Sequence, residues 1–595
     1  MTHHILLYVH FNKENQLSDY VTYQLKKLRP LFERILFVSN SELSQENQNK
    51  LLTKNLIDDF ISRENKGYNF KAWSEAMQYI GFEKLMTYDS VSLMDDTCFG
   101  PVGDFESIFE AYSLDEKVDF WGLTNNREHS VTIAKDVISF REHIQSYFVS
   151  YKQNLVKSSV FREFWENIES QEEFLSVTVK YESEMSSYFE KAGFNSAVLF
   201  DTRKLSWERL PSHDFSIFGL SELLQGKVPF LKIKAFSCAS DDSFTSLVVE
   251  KIRRDSDFPI DLILEHMTKI DGPDRDYMLR YKTIQSNYLT KKSIKTVGIH
   301  LHVYYVELLD EFVQAFENHI ENYDLYITTN SEEKKEEILS YFERKKPVKE
   351  VIVTASKGRD VLPWQVIHER LEKYEIAGHF HTKKSVDNHW IIGESWRHDL
   401  IDSLIKPASL LFTKFEENPK LGILIPDVVD YFNLNYGPTF YQENTLRPYI
   451  EDLWEKMGYD KEKLAWRRRH IMSYGTMVWY RPKALKSILD LDFLEQIPEE
   501  PLPIATILHA FERLLIYVAW MNGYDFKISQ VKLLNGFHIV SSANRMLKTA
   551  KIDPPFRHLM FDTRDESNQI PVREILGLLK RKAIRRAKSL LGLKK

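Results

Sequence analysis

The chain has 595 residues, of which 43% are hydrophobic and 28% charged, and its formal net charge is −7 at pH 7. These values are typical of a globular protein of roughly two to four domains. The two cysteines, Cys98 and Cys238, exclude a disulfide framework and a cysteine-rich zinc site. No segment approaches the ~18 apolar residues of a membrane span, and no basic region precedes the apolar N-terminal run. We therefore expect a cytoplasmic protein.

The charge is unevenly distributed along the chain. Residues 573–595 contain nine lysines and arginines and one glutamate, a charge of +8, so the remainder carries −15. An acidic body of this kind repels nucleic acid, which we do not expect as a partner. Apolar residues recur among the cations of the tail at roughly helical spacing, which predicts a basic amphipathic helix on the anionic inner face of the cell membrane. A solvated tail or a partner-binding helix is the alternative.

Strands and helices alternate from the first residues onward. Residues 5–11 and 34–40 are predicted strands, and the amphipathic segment 17–32 between them is a predicted helix. Such a βαβ unit implies a parallel sheet with right-handed crossovers, and the same alternation restarts after residue 293. We therefore predict an α/β protein. Its predicted parts are a first domain at 1–215, a connector at 216–292, a second domain at 293–550, and a linker with the basic tail at 551–595.

Three features recur in the same order in both halves, which indicates a duplication. The matched features are ENKGYNFKAW (64–73) with ASKGRDVLPW (355–364), SYFVSYKQNLVKS (146–158) with SYGTMVWYRPKALKS (473–487), and Glu182 with Glu512, each eleven residues before a Gly-aromatic pair. We therefore predict two tandem domains of the same fold.

A glycine lies between a predicted strand and a predicted helix in each half. At Gly67 and Gly358 the backbone can approach a ligand, and helix-terminal N–H groups can face an anion. Asn69 and Asp360, two residues further on, can hydrogen-bond the base, ribose or sugar of a nucleotide sugar. These four residues are predicted to bind a nucleotide-sugar donor. The alternative is a strand-to-helix turn without a ligand.

Two adjacent aspartates follow an apolar strand in VSLMDDTCFGP (91–101). Asp95 and Asp96 therefore stand at the C-terminal end of a sheet strand, where α/β folds place ligand sites. Mg²⁺ and Mn²⁺ prefer hard oxygen ligands, commonly one or two carboxylates together with phosphate oxygens. We predict a divalent-cation site that neutralises the diphosphate of a nucleotide sugar, with Asp96 also a catalytic residue. A turn with an aspartate cap is the alternative.

The equivalent stretch of the second half, EIAGHFHTKKS (375–385), has no carboxylate pair. His379 and His381 alternate on a predicted strand and share a face, and Lys383 and Lys384 follow. This group is predicted to bind a diphosphate by direct cationic contact, without a metal. A transition-metal site, an exposed basic strand end, and a degenerate site that only recognises polysaccharide or lipid phosphate are the alternatives.

Sugar transfer with inversion requires a carboxylate that takes the proton of the acceptor hydroxyl. Glu182 and Glu512 are the candidates, and each is predicted to open a helical segment. Acidic residues are favoured at helix starts for a purely structural reason, which is the alternative.

These motifs resemble the rhamnan synthesis protein F family of bacterial rhamnosyltransferases. The similarity runs through YVHFNKENQLSDYV, LIDDFISRENKGYNFKAW, YDSVSLMDDTCFGP, DFWGLTNN, REHIQSYFVSYKQNLVKSSVFREFWENI, AGHFHTKKS and GILIPD. Asp96 matches the family pattern, whereas Asp95 stands where the family usually has Asn, which leaves metal use open in either direction. The resemblance also covers His379, His381, Lys383 and Lys384, which match a His-x-His-Thr-Lys-Lys run.

The resemblance implies two GT-A-type domains that use dTDP-L-rhamnose and act on undecaprenyl-linked rhamnose polysaccharides of streptococci and their relatives. We therefore expect an L-rhamnosyltransferase of cell-wall polysaccharide synthesis that works beside other polysaccharide synthases. Two other functions remain open. One is a non-catalytic scaffold that binds polysaccharide, and the other is a sugar- or glycerol-phosphate transferase on the same fold.

Overall fold

The structure is a computed structural model. It describes residues 3–133, 136–205, 214–238, 242–286, 292–343, 345, 348–382, 384, 390–427, 440–465, 471–473, 475–500, 502–503, 505–531 and 580. The predicted linker and basic amphipathic tail at 551–595 lie outside these residues apart from Lys580. The predicted site residue Lys383 also lies outside them.

The chain divides into two compact units, 1–272 and 273–595. The predicted connector at 216–292 spans the boundary between these units. The helices between residues 215 and 271 belong to the first unit, whereas the strand Thr283–Ser286 pairs within the sheet of the second. The short helical pieces and turn residues of this stretch predicted a connector, but strand pairing over long sequence separations assigns each part to a unit.

The first unit is built around an eight-stranded sheet, with two short strand pairs outside it. Its strands are β1 (His4–His10), β2 (Arg34–Ser39), β3 (Asp59–Ser62), β4 (Ser90–Asp95), β5 (Cys98–Phe99), β6 (Phe120–Asn126), β7 (His129–Ile133), β8 (Asp136–Phe140), β9 (His143–Ile144), β10 (Phe148–Lys152), β11 (Ser196–Phe200) and β12 (Leu231–Lys232). The order along the sheet is β11-β6-β10-β4-β1-β2-β3, with β9 on β6 beside this row. β10 is antiparallel to both neighbours, and the other pairs in the row are parallel.

The second unit has its own eight-stranded sheet. Its strands are β13 (Thr283–Ser286), β14 (Val297–His302), β15 (Tyr323–Thr329), β16 (Glu350–Val353), β17 (Ala377–His381), β18 (Leu421–Pro426), β19 (Val478–Tyr480) and β20 (Asp525–Val531). The order is β13-β20-β18-β19-β17-β14-β15-β16, and β19 is the antiparallel strand.

The two sheets have the same topology. Counted from β3 in one unit and from β16 in the other, the first seven strands correspond one to one, and the antiparallel strand is fifth in both rows. This agreement confirms the predicted α/β class with two tandem Rossmann-type domains. It also supports the predicted duplication, because β10 and β19 lie in the two segments that the sequence pairs.

Helices connect the strands of each unit. In the first unit they are α1 (Asp19–Leu28), α2 (Gln45–Thr53), α3 (Tyr68–Ile80), α4 (Phe82–Leu85), α5 (Phe105–Leu114), α6 (Gln153–Val156), α7 (Ser159–Glu166), α8 (Phe174–Val177), α9 (Ser183–Lys191), α10 (Phe215–Phe218), α11 (Leu220–Gln225), α12 (Lys234–Cys238), α13 (Asp242–Asp255) and α14 (Ile260–Asp271). In the second they are α15 (Asp276–Lys282), α16 (Leu309–His319), α17 (Glu332–Phe342), α18 (Val361–Leu371), α19 (Trp390–Leu400), α20 (Ala408–Glu417), α21 (Phe440–Lys456), α22 (Glu462–Ala465), α23 (Pro482–Leu489) and α24 (Ile507–Met521). Within the described residues, none of these helices has the length and apolar character needed to cross a bilayer.

Packing on both faces of β1 fixes the carboxyl ends of the central strands. All seven of its residues are buried, as expected for a strand covered on both faces. Ile5 and Leu7 join the core cluster of Trp73 in α3, whereas Tyr8 donates a hydrogen bond to Gln24 of α1 (2.7 Å). Residues that alternate along a strand point to opposite faces, so both faces of β1 are packed. The carboxyl ends of β1 and β4 are therefore held by core packing.

Candidate functional site

The acid pair of the first unit lies where β4 ends. Asp95 is the last residue of β4, and its N–H donates to the carbonyl of Tyr147 (3.4 Å). Asp96 follows, and its N–H donates to the carbonyl of Val9 in β1 (3.1 Å). The two residues are only 6% and 8% exposed. The predicted strand-end placement is therefore observed, whereas the chemical role of the pair stays a prediction.

The carboxylate of Asp95 is oriented by three hydrogen bonds. Its Oδ1 accepts from the N–H (3.2 Å) and hydroxyl (2.5 Å) of Thr97, and its Oδ2 accepts from Asn69 Nδ2 (3.0 Å). Burial raises the pKa of Asp95, and the bonds from Thr97 and Asn69 partly oppose this. Asn69 was predicted to contact the nucleotide sugar. In the structure its amide donates to Asp95, and the contact with a nucleotide sugar stays a prediction.

The carboxylate of Asp96 accepts fewer hydrogen bonds than that of Asp95. Its Oδ2 accepts from the N–H of Phe11 (3.1 Å) and lies 3.8 Å from Nε2 of His10. Burial lowers the pKa of His10 to about 4, so this imidazole is neutral at pH 7. Burial, followed by the charge of Asp95, raises the pKa of Asp96 well above its ordinary value. Burial thus makes negative charge on this pair costly.

This environment fits a divalent cation. Among the described residues neither carboxylate forms an ion pair with Lys or Arg, and no third His, Cys, Asp or Glu completes a three-ligand cluster with them. Two adjacent buried carboxylates are costly to ionise together, and a bound cation removes that cost. Mg²⁺ commonly takes one or two protein carboxylates and completes its shell with phosphate oxygens and water. The donor set at Asp95 and Asp96 has this character.

Glu182 lies at the same end of the sheet strands as Asp95 and Asp96. Its Oε1 accepts from the N–H (2.9 Å) and hydroxyl (2.7 Å) of Ser146, the residue before Tyr147, whose carbonyl binds Asp95. In the described part of the chain, Oε2 makes no hydrogen bond. Glu182 was predicted to open a helix. It instead ends a π-helical turn, Thr178–Glu182, inside a continuous helical run, and such turns are frequent at functional sites.

Two further residues of this site were missed by sequence reasoning. Lys232 of β12 lies 3.5 Å from Asp214 and 5.4 Å from the ring centroid of Tyr147. Burial lowers the pKa of Lys232, but the charges of Asp214 and Glu182 outweigh this effect and its pKa is raised. No local motif marks either residue, and Lys232 reaches the site through the pairing of β12 with β5.

Gly67 and Gly358 make equivalent turns. Each has φ of +74°, and the following residues, Tyr68 and Arg359, also have positive φ. A Cβ at Gly67 would lie 2.7 Å from Cβ of Lys71, and one at Gly358 would meet its own helix similarly. Each glycine therefore has a structural reason to be present. Their predicted contact with a nucleotide sugar stays a prediction.

In the second unit the hydrogen-bond donor and the hydrogen-bond acceptor of this site are exchanged. Asp360 occupies the position of Asn69, and its Oδ2 lies 3.5 Å from Nε2 of His379 and 4.0 Å from Nε2 of His381. Thr476 also donates to Oδ2. Burial raises the pKa of Asp360, but His381 and His379 outweigh it and the pKa lies well below its ordinary value. The first unit thus has an amide facing a carboxylate, and the second a carboxylate facing imidazoles.

His379 and His381 share a face of β17, as predicted, but neither lies on an exposed strand end. His379 is 0% and His381 7% exposed, and the indole of Trp364 stacks on His379 at 4.0 Å. The core covers His379 in this arrangement. Lys384 is exposed and pairs with Glu307. The predicted diphosphate contacts of this group stay a prediction.

A chain of imidazoles continues from β17 into β14. Nδ1 of His379 lies 2.9 Å from Nδ1 of His300. Nε2 of His300 and Nδ1 of His302 lie 2.8 and 2.9 Å from the hydroxyl of Thr328. Sequence reasoning missed His300 and His302, although a second His-x-His pair at the equivalent depth of a neighbouring predicted strand was an available signal.

Glu512 lies inside α24 and does not open it, which corrects that prediction. Its Oε1 accepts from the N–H of Gly475, as Glu182 accepts from Ser146, and its Oε2 lies 3.6 Å from Nη1 of Arg513. The carboxylate is thus paired with an adjacent arginine. The two glutamates are equivalent in position but differ in electrostatic surroundings.

Acidification is expected to destabilise the second unit. Burial lowers the pKa of His302 to about 3 and of His379 to about 4, whereas the unfolded value is about 6.5. Below pH 6.5 the unfolded chain gains protons that the folded chain does not. The free energy of unfolding therefore decreases as the pH is lowered, by about 1.4 kcal/mol per pH unit for each histidine. Urea titrations read by hydrogen exchange of β14 and β17 should give a lower midpoint at pH 5.5 than at pH 7.

The matched control for this pH effect is His302→Gln, which should lose less stability over the same interval because it has one fewer titrating group. Equal midpoints at the two pH values in the wild-type protein would contradict the expectation.

The fold and the site define a tandem α/β protein with an acidic strand-end site in the first domain and an imidazole-rich one in the second. The chain belongs to the rhamnan synthesis protein F family, which matches residues 35–524. The resemblance that the sequence motifs carry is thereby confirmed.

Individual relatives are more distant. The uncharacterized protein WxcX of Xanthomonas campestris pv. campestris (strain B100) is 27% identical over 245 residues, which is 38% of this chain and 31% of WxcX. The chain thus spans less than a third of the curated relative it matches. The glycosyltransferase GlyE of Streptococcus pneumoniae TIGR4 is 12% identical, over 65% of this chain and 87% of GlyE, with a TM-score of 0.25. The cytidylyltransferase IspD of Francisella tularensis is 15% identical, over 34% of this chain and 90% of IspD, with a TM-score of 0.22. The family assignment therefore comes from the sequence match.

Proposed function

We propose that this protein is a glycosyltransferase that transfers L-rhamnose from dTDP-L-rhamnose to a lipid-linked rhamnose polysaccharide, and that the first unit performs the reaction. One observation carries the proposal: the buried acid pair, Asp95 and Asp96, lies at the same end of the sheet strands as Glu182. The donor and acceptor identities are those implied by membership of the rhamnan synthesis protein F family.

The geometry supports a distinct role for each carboxylate. A divalent cation held by Asp95 and Asp96 would neutralise the diphosphate leaving group. Glu182, anchored through Oε1, has Oε2 available to take the proton of the acceptor hydroxyl. The acceptor oxygen then forms the new bond to the sugar carbon as the bond to the diphosphate breaks. Ser146 fixes the base, and Asn69 fixes Asp95, so the reacting groups are preorganised.

The second unit is proposed to bind the acceptor polysaccharide rather than the nucleotide sugar. Its carboxylate, Asp360, is enclosed by His379, His381 and Thr476, and Glu512 is paired with Arg513. A second transferase site in this unit is the competing proposal. The basic tail is proposed to hold the protein at an anionic membrane surface beside other polysaccharide synthases.

A donor screen tests the function. The purified full-length chain is heated with a panel of nucleotide sugars and with CDP-linked polyol phosphates, each with and without Mg²⁺, and transfer to a lipid-linked rhamnan acceptor is then measured. We expect stabilisation by dTDP-L-rhamnose and its consumption when the acceptor is present. Stabilisation by a CDP-linked compound instead would favour a phosphate transferase, and no response to any donor would favour a scaffold.

A further inference from the structure

The first unit holds a lysine beside the acid pair that lies far from it in sequence. Lys232 stands opposite Cys98 in the antiparallel pair of β12 and β5. The next residue, Ile233, donates its N–H to the carbonyl of Thr97 (2.8 Å). The strand that carries Lys232 therefore runs directly along the segment that follows Asp96. Core pairing, rather than a mobile loop, fixes the position of this lysine.

The ammonium of Lys232 has N–H donors that no described residue accepts from. An ammonium has three N–H donors, and in the described part of the chain Lys232 makes one long bond, to Asp214 Oδ2 at 3.5 Å. Asp214 is held independently, because its Oδ1 accepts from Gln145 Nε2 (3.0 Å) and from the N–H of Ser216 (3.0 Å). The side chain of Lys232 is 18% exposed. It can therefore reach a ligand that enters from solvent.

The charge around Lys232 explains why a ligand would need it. An anionic ligand that approaches this edge meets the carboxylates of Asp95, Asp96, Glu182 and Asp214. The ammonium is close enough to Asp95 and Glu182 for their charges to act on it. Its raised pKa keeps it protonated at neutral pH, so it is a fixed positive charge inside an acidic site. A diphosphate fits such a charge, since phosphate oxygens accept from lysine as a point charge.

We propose that Lys232 binds the diphosphate of the nucleotide sugar and holds the nucleoside diphosphate as it leaves. This inference rests on the proposed function and adds a residue to it. Because the contact is made by the protein, part of the affinity for a nucleoside diphosphate persists when divalent cations are removed. The lysine thus belongs to the leaving-group side of the site, whereas Glu182 belongs to the acceptor side.

Calorimetric titration of the full chain with dTDP, in Mg²⁺ and in EDTA, tests the proposal. Lys232→Met should weaken dTDP binding about 10- to 100-fold under both conditions, the loss expected for one hydrogen bond to a charged group. Lys232→Arg should recover part of the affinity. The matched control is Lys234→Ala, an exposed lysine two residues away that should bind dTDP as the wild type does. Wild-type affinity in Lys232→Met would overturn the inference.

A second measurement needs no variant and remains decisive if Lys232→Met fails to fold. Lysines of the wild-type protein are acetylated with and without dTDP, and the modified positions are located by mass spectrometry. Lys232 should be protected by dTDP and not by thymidine, whereas Lys234 should react equally throughout. Equal labelling of Lys232 with and without dTDP, in a sample that binds dTDP, would overturn this inference and leave the proposed function standing. Failure of the wild type to bind dTDP would overturn the proposed function with it.

Discussion

Replacement of Glu182 by glutamine should lower rhamnosyl transfer by about 10²- to 10⁴-fold, the range typical of a lost general base. Glutamine is nearly isosteric and can still accept from Ser146 through its carbonyl oxygen, so the helix should keep its place. It cannot take a proton, because an amide nitrogen is not basic. Binding of dTDP should change little, since this carboxylate is assigned to the acceptor side. Radiolabelled transfer to a lipid-linked acceptor measures the first effect, and calorimetry the second.

Two variants make the result specific. Glu184→Gln alters a neighbouring glutamate that pairs with Arg141 at the surface, and it should transfer rhamnose at the wild-type rate. Glu512→Gln changes the equivalent position of the second unit. If Glu512→Gln abolishes transfer while Glu182→Gln does not, the chemistry belongs to the second unit and our assignment is wrong.

Asp96→Asn should change activity and stability in opposite directions. Transfer should fall by about 100-fold or more and should no longer respond to Mg²⁺, because an amide is a poorer ligand for a hard cation than a carboxylate. In EDTA the variant should be at least as stable as the wild type. Because the folded pKa of Asp96 is raised above the unfolded value, ionisation at pH 7 favours the unfolded chain. The substitution removes that penalty.

Thermal unfolding in EDTA and metal-dependent transfer assays measure the two effects on the same preparation. Asp115→Asn, an exposed aspartate of the same unit, is the control and should alter neither. A marked loss of stability in Asp96→Asn without metal would mean that the pair is a structural cap and not a cation site. Such an opposition between activity and stability is characteristic of functional sites, where groups are held in costly surroundings.

Several features of the site follow from local sequence. The strand of Ser90–Asp95 ends in two carboxylates, and the end of a parallel strand is where α/β proteins bind ligands. The recurrence of Lys-Gly motifs and glutamates predicts two domains of the same topology, and the strand orders agree with it. These predictions succeed because alternating strands and helices repeat at short range, so their pattern can be read along the chain.

Other features depend on residues that are distant in sequence. Lys232 falls in a stretch predicted to be a connector, and only the pairing of β12 with β5 brings it to the segment that follows the acid pair. Asp214, at the end of the predicted first domain, lies 3.5 Å from Lys232 in the folded chain. His379 was predicted to contact a diphosphate, with an exposed basic strand end as the alternative. Only the packing of Trp364 and His300 shows that it is a buried neutral group. Periodicity indicates which face of a strand a residue occupies. It does not indicate what covers that face.

The sequence by itself therefore determined the α/β class, the duplication, the family and the strand-end acid pair of this protein. Only the tertiary structure decided which groups share a site and which are charged. The physical reason is that burial and long-range contacts set the electrostatics of a carboxylate, lysine or histidine, and these contacts arise after the chain folds. Asp96 and Asp360 illustrate this, because two similar carboxylates have pKa values shifted in opposite directions by what surrounds them.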